Sequence, residues 1–172
     1  YAHRAQRPHT QRKFYTDWFG PTSIRGHRHE RWIQAFIDEE SGFVFTFACR
    51  SKSEGAANLR ALHTALAELS NHTVRVSLIQ ADFERVFTDG AFAAECASAA
   101  ILQRFSSPYS HAQNGRVERW FRTMETQLSA MLDHSQLPSH FWPHALRYFT
   151  HCFNRQSDSA GSDTPFERLI GV

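Results

Sequence analysis

The chain has 172 residues, with 19 Lys and Arg against 17 Asp and Glu and a formal net charge of +2. That length makes one ordinary domain, able to bury about two thirds or more of its unfolded surface without staples. Cys49, Cys96 and Cys152 are too scattered for a disulfide framework or a paired zinc site, and no apolar run approaches the roughly 20 residues of a membrane span, so the expectation is a soluble, intracellular protein.

Residues 1–13 carry Arg4, Arg7, Arg12 and Lys13 and no acid. They read as a basic arm or linker, either lying along phosphates or serving as a solvated tether. Lys13 to Phe19 is a short aromatic strand closed by Gly20-Pro21, with Asp17 inside it. Trp32 to Asp38 and Phe43 to Cys49 alternate about the Glu39-Glu40-Ser41-Gly42 turn as an antiparallel hairpin. A helix follows from Ser53, its cap, to Ser70, with Ala56, Leu59, Leu62, Leu66 and Leu69 as its stripe.

Val74 to Ala81 alternates as a strand and ends at Asp82. In open α/β sheets ligands gather beyond the carboxyl ends of strands, which makes Asp82 a candidate, although strand-end aspartates also cap turns. Asp89 to Ala99 reads as a helix and Ala100 to Phe105 as a short strand. From Val117 onward Trp120, Phe121, Met124, Leu128, Met131 and Leu132 recur at offsets of three and four, one core-facing stripe with Glu118 at its edge. A carboxylate there needs a cation, supplied either by Arg122 four residues on or by a metal shared with other acids. Leu137-Pro138-Ser139 opens a helix running to about Arg155, and 156–163 is a loop before a final turn. Strands interleaved with helices mean an α/β fold.

These words together resemble the catalytic core of a retroelement integrase, nearest the copia-like retrotransposon type. The resemblance is carried by Tyr15-Thr16-Asp17 with Gly20-Pro21, Phe36-Ile37-Asp38, Ser51-Lys52-Ser53-Glu54, Asp82 with Phe92, the run Ser107 to Arg119, Leu137-Pro138 with Phe141-Trp142, Asn154-Arg155, and Thr164-Pro165-Phe166-Glu167 before Gly171. Thirty-five residues separate Asp82 from Glu118, the spacing of that family's Asp, Asp, Glu triad. The resemblance implies a ribonuclease H-like fold, a five-stranded mixed sheet flanked by helices on both faces, spanning residues 14–172 with the C-terminal helices.

It also implies an enzyme, a polynucleotidyl transferase with endonuclease activity that trims DNA ends and transfers the strand into target DNA. Asp17, Asp82 and Glu118 would be its catalytic and metal-binding residues. The expected cofactor is Mg²⁺, with Mn²⁺ as a substitute and two ions in the presence of substrate; no small-molecule cofactor is expected. Two cations suit phosphoryl chemistry because they clamp the attacking and leaving oxygens. Expected partners are DNA, both element ends and target, and further copies of the chain in a homo-oligomer, with no membrane. Asn114, Arg116, Arg119 and Arg122 are the expected DNA contacts. A eukaryotic retroelement would place the protein in the nucleus. Two alternatives stand beside this reading: a ribonuclease H-like nuclease without strand transfer, and a domesticated, non-catalytic DNA-binding module. The chain departs from the family at Phe83-Glu84, where an Asn-Gly turn is usual.

Overall fold

The computed structural model describes residues 10–106, 115–157 and 159–171. Its centre is a five-stranded sheet in the order β3-β2-β1-β4-β5, made of β1 (Thr10–Phe19), β2 (Trp32–Asp38), β3 (Val44–Cys49), β4 (Val74–Asp82) and β5 (Leu102–Ser106). β1 pairs antiparallel with β2 and parallel with β4, so the central strand separates an antiparallel half from a parallel half. The helices are α1 (Gly55–Leu69), α2 (Arg85–Thr88), α3 (Gly90–Ser98), α4 (Gly115–Ser135), α5 (Trp142–Phe153) and α6 (Pro165–Ile170). The mixed five-stranded sheet flanked by helices is the one the sequence predicts.

Strand alternation divides the core in two. Phe14 and Trp18 of β1 point to one face, with Phe36, Leu59, Leu62, Leu66 and Phe92, under α1 and α3. Tyr15 and Phe19 point to the other, with Ile33, Ala35, Ile37, Val117, Trp120, Met124, Leu146 and Phe149, under α4 and α5. Because side chains alternate with a period of two, Asp17 shares the α4 and α5 face with Tyr15 and Phe19. Both faces are covered, which is why β2 is apolar over most of its length and β1 carries aromatic residues to both sides from Phe14 onward.

Local boundaries differ from the sequence expectations for identifiable reasons. Ser51, not Ser53, caps the segment before α1: its side chain accepts from Ser53 N–H while Glu54 reaches back, a capping box that starts a 3-10 turn over Lys52–Glu54. The helix expected from Asp89 is preceded by one extra turn, α2, and the two are divided at Asp89, whose backbone is extended. The final turn is the helix α6, started by Thr164 and Glu167 as a second capping box with Pro165 in the first turn. Arg12 and Lys13, read from the sequence as the end of a basic arm, lie within β1, where Arg12 is buried beside Asp38. Cys49 and Cys96 are buried thiols; burial pushes them up to about 11 and about 12, while Cys152 is half-buried.

The words Asn154-Arg155 have a structural basis. The Asn154 side chain accepts from Val44 N–H and donates to Val44 C=O, each at 2.8 Å, fastening α5 to the edge strand β3. Its own carbonyl accepts from Phe166 N–H at the start of α6.

Candidate active site

Two of the three expected acids lie on neighbouring strands. β1 and β4 run parallel, with Tyr15 opposite Gln80, and two residues further along each strand come Asp17 and Asp82. Asp82 is the last residue of β4 and shares its side of the sheet with Gln80, and therefore with Tyr15 and Asp17. The charges interact. The Asp17 carboxyl is pushed up to about 7, first by burial and further by the negative charges of Asp82 and Glu84. The Trp18 N–H donates to Asp17 Oδ1 at 2.7 Å, and that bond and the Lys52 ammonium pull in the opposite direction. The result is a partly buried acid whose carboxyl lies well above the ordinary carboxylate range.

Glu118 sits in the first turn of α4, half-buried at the border of its apolar stripe. Its direction follows from its neighbours. Arg116 reaches the backbone carbonyls of Asp38 and Glu39, and Arg119 and Thr123 line a shallow recess with Ile37 and Gly42, so that flank of α4 is turned to β2 and β3. At about 100° per residue Glu118 occupies the opposite flank, on the β4 side. Its ion pair is with Arg122 at 4.0 Å, a long and exposed contact. Among the described residues no three His, Cys, Asp or Glu side chains close into a ligand set. The structure thus brings Asp17 and Asp82 together and places Glu118 on their side of the sheet without completing a cage.

The remaining sequence candidates separate cleanly. Arg116 is a strut: besides its carbonyl contacts, its guanidinium lies 5.8 Å from the centre of the Tyr15 ring. Arg119 is exposed, and Arg122 is engaged with Glu118. Asn114, with the rest of 107–114, lies outside the described residues. Asp38 belongs to a turn: fully buried, it accepts from Ser41 N–H at 2.8 Å and Ser41 hydroxyl at 2.6 Å, and pairs with Arg12 at 3.3 Å. Asp89 is exposed beside Arg85.

Sequence reasoning missed a pair next to the acids. Lys52 Nζ bonds Glu84 at 2.8 Å and lies 4.7 Å from the Trp32 ring centre. Both charges are felt at Asp17. Thirty-two positions separate Lys52 from Glu84, so no local spacing connects them; the one signal was the unusual acid after Asp82.

Comparison with known proteins gives a consistent result. No protein-family model matches the chain. It is 26% identical over 141 residues to the "Retrovirus-related Pol polyprotein from transposon TNT 1-94" of Nicotiana tabacum, covering 82% of this chain and 10% of the polyprotein. It is also 26% identical over 161 residues to the "Pro-Pol polyprotein" of Simian foamy virus type 3 (strain LK3), covering 93% of this chain and 13% of that protein. The chain therefore spans about a tenth of the length of these relatives. Among solved structures it superposes on a chain of the simian T-cell lymphotropic virus intasome in complex with PP2A regulatory subunit B56 gamma, with TM-score 0.73, 20% identity, and 98% and 57% of the two chains covered. The catalytic core domain of BIV integrase gives TM-score 0.65 and 18% identity over 92% and 93% of the chains. A transposon and a foamy virus are matched at equal identity, so the likeness is to retroelements broadly and does not single out the copia-like branch.

Proposed function

We propose that this chain, a retroelement integrase core of the ribonuclease H-like superfamily by sequence likeness and fold, trims DNA ends and joins them to target DNA by transesterification. The observation that carries the reading is the pairing of Asp17 and Asp82 at the carboxyl ends of parallel strands, with Asp17 held near neutrality by burial and by its acidic neighbours. Ligands of α/β sheets gather at that end.

The donor set suits a hard divalent cation, since Asp17, Asp82 and Glu118 offer only carboxylate oxygen, and the carboxyl crowded by Asp82 and Glu84 is one a cation would relieve. Those three residues would hold Mg²⁺, or Mn²⁺ in its place, with two ions expected in the presence of DNA. Bound there, the ions would supply charge neutralisation at the phosphate and a more acidic water. The chain's own residues do the positioning. Trp18 N–H fixes one oxygen of Asp17, and Lys52 pairs with Glu84 beside it. The partners in this reading are DNA and further copies of the chain, and the setting is intracellular, the nucleus for a eukaryotic element.

An assay of one labelled DNA substrate for both cut and joined products, with Mg²⁺ or Mn²⁺, tests the reading. Wild type is expected to give both, and Asp82→Asn neither, with its circular dichroism unchanged. Joining by the Asp82→Asn protein would refute it. The contact of Glu118 with Arg122 favours a second reading, a DNA-binding module without catalysis; it predicts DNA affinity without measurable Mn²⁺ binding by calorimetry.

A further inference from the structure

Residues 20–31 join β1 to β2 through twelve positions, where antiparallel neighbours commonly need two to five. The loop is nonetheless fixed. Thr22 N–H donates to Arg31 C=O at 2.7 Å, Gly26 N–H to Glu30 C=O at 2.8 Å, and His29 N–H to Gly26 C=O at 2.9 Å. The Trp142 indole of α5 donates to Ile24 C=O at 3.0 Å, and the His27 ring stacks on His144 with centroids 4.4 Å apart. Gly26 leaves no room for a side chain, since an added carbon would strike Glu30 and Pro143.

Its charge is one-sided. Three arginines stand against one acid, which equals the formal +2 of the whole chain, so the other residues balance. That acid, Glu30, is buried and spends a carboxylate oxygen on Arg28 N–H at 2.8 Å. Arg25, His27, Arg28 and His29 are exposed. The adjoining stretch from Leu137 to Arg155 adds His140, His144 and Arg147 and contains no Asp or Glu. The loop also leaves the sheet three residues beyond Asp17, at the edge where β4 ends in Asp82.

We propose that this loop is a contact for the phosphate backbone of DNA, with Arg25 and Arg28 each meeting a phosphate beside the acidic site. The inference rests on the reading of that site as one that acts on DNA. Exposed guanidinium groups on a frame already ordered bind phosphate with little further loss of freedom. A protein partner fits less well, because interface centres are depleted in charge, whereas nucleic-acid contacts are made largely to phosphate by arginine and lysine.

The test is fluorescence anisotropy of a short DNA duplex across a salt series. Arg25→Ala with Arg28→Ala removes two exposed side chains and leaves the loop's internal bonds, which use only the Arg28 backbone. The slope of log affinity against log salt is expected to fall by about two, with binding at about 0.1 M salt weaker by roughly tenfold or more. Arg25→Lys with Arg28→Lys should keep the slope. Arg75→Ala, on β4 near the opposite end of the sheet, should leave slope and affinity unchanged. Asp17→Asn should bind with the wild-type slope while neither cutting nor joining, which separates failure of the contact from failure of the catalytic reading. A wild-type slope in the double alanine variant, with an unchanged melting temperature, overturns the proposal. So does a fall in that variant's oligomeric state in sedimentation, relative to wild type, without a change in slope, the signature of a protein contact.

Discussion

Asp17→Asn is expected to make the metal-free protein more stable while removing its activity. In the folded chain the Asp17 carboxyl is raised from 3.8 to about 7, so between those values the folded state holds a proton that the unfolded chain releases. Stability from this group is therefore full below the ordinary carboxyl range, declines as pH rises from about 4 to about 7, and levels off above. The rise converts to a ceiling of about 4 kcal/mol. Asparagine keeps the oxygen that accepts from Trp18 N–H and carries no charge at any pH, so it escapes the loss. At pH 8 in a chelator the variant should melt above wild type by on the order of 5 to 15 °C, as about 1 kcal/mol moves a chain of this size by about 2 to 4 °C. The gap should close near pH 4. Added Mg²⁺ or Mn²⁺ should stabilise wild type alone, by about 2.7 kcal/mol at a hundredfold excess over the dissociation constant. Differential scanning fluorimetry over a pH series reads all three effects. If the variant melts at or below wild type at pH 8 without metal, burial and the neighbouring acids do not raise the Asp17 carboxyl, and the site is not built as described.

Glu118→Gln should abolish joining yet shift the melting temperature little, because its exposed pair with Arg122 contributes at most about 0.5 kcal/mol; joining at the wild-type rate would remove Glu118 from the site. Asn154→Ala leaves two backbone groups of Val44 without partners and should cost about 2 to 4 kcal/mol in urea denaturation, and a loss under about 0.5 kcal/mol would contradict the clasp. Gly20→Ala forces a side chain into a backbone with φ +121° and against the Arg31 carbonyl, so destabilisation of about 1 to 3 kcal/mol is expected by the same measurement. A neutral result there would mean that the loop rearranges freely.

Periodicity carried the sheet and the long helices because it encodes a face, and both faces of β1 are spoken for in the alternation of Phe14, Tyr15, Thr16, Asp17, Trp18 and Phe19. It also put Glu118 at the border of the α4 stripe, where it stands. Partners distant in the chain were not legible. Lys52 meets Glu84, Arg116 meets the Asp38 and Glu39 carbonyls, and Asn154 meets Val44 only after the sheet is assembled. A helical wheel tells which side of α4 faces outward and not what lies alongside, so it does not reveal Arg116 as a strut. Four residues show too little of a 3.6-residue repeat for α2 to be read from the sequence, and α6 reads there only as a final turn, although its Thr164 and Glu167 box marks a helix start.

The clasp of Asn154 on Val44 bears on how the folded chain keeps company with its own kind. β3 ends the sheet, and an end strand offers its bare amides and carbonyls as a template on which a stranger can polymerise. With the first rung already taken by a side chain from α5, an incoming strand cannot zip from that corner. The side chain that fastens the helix thereby also occupies one rung of the open edge.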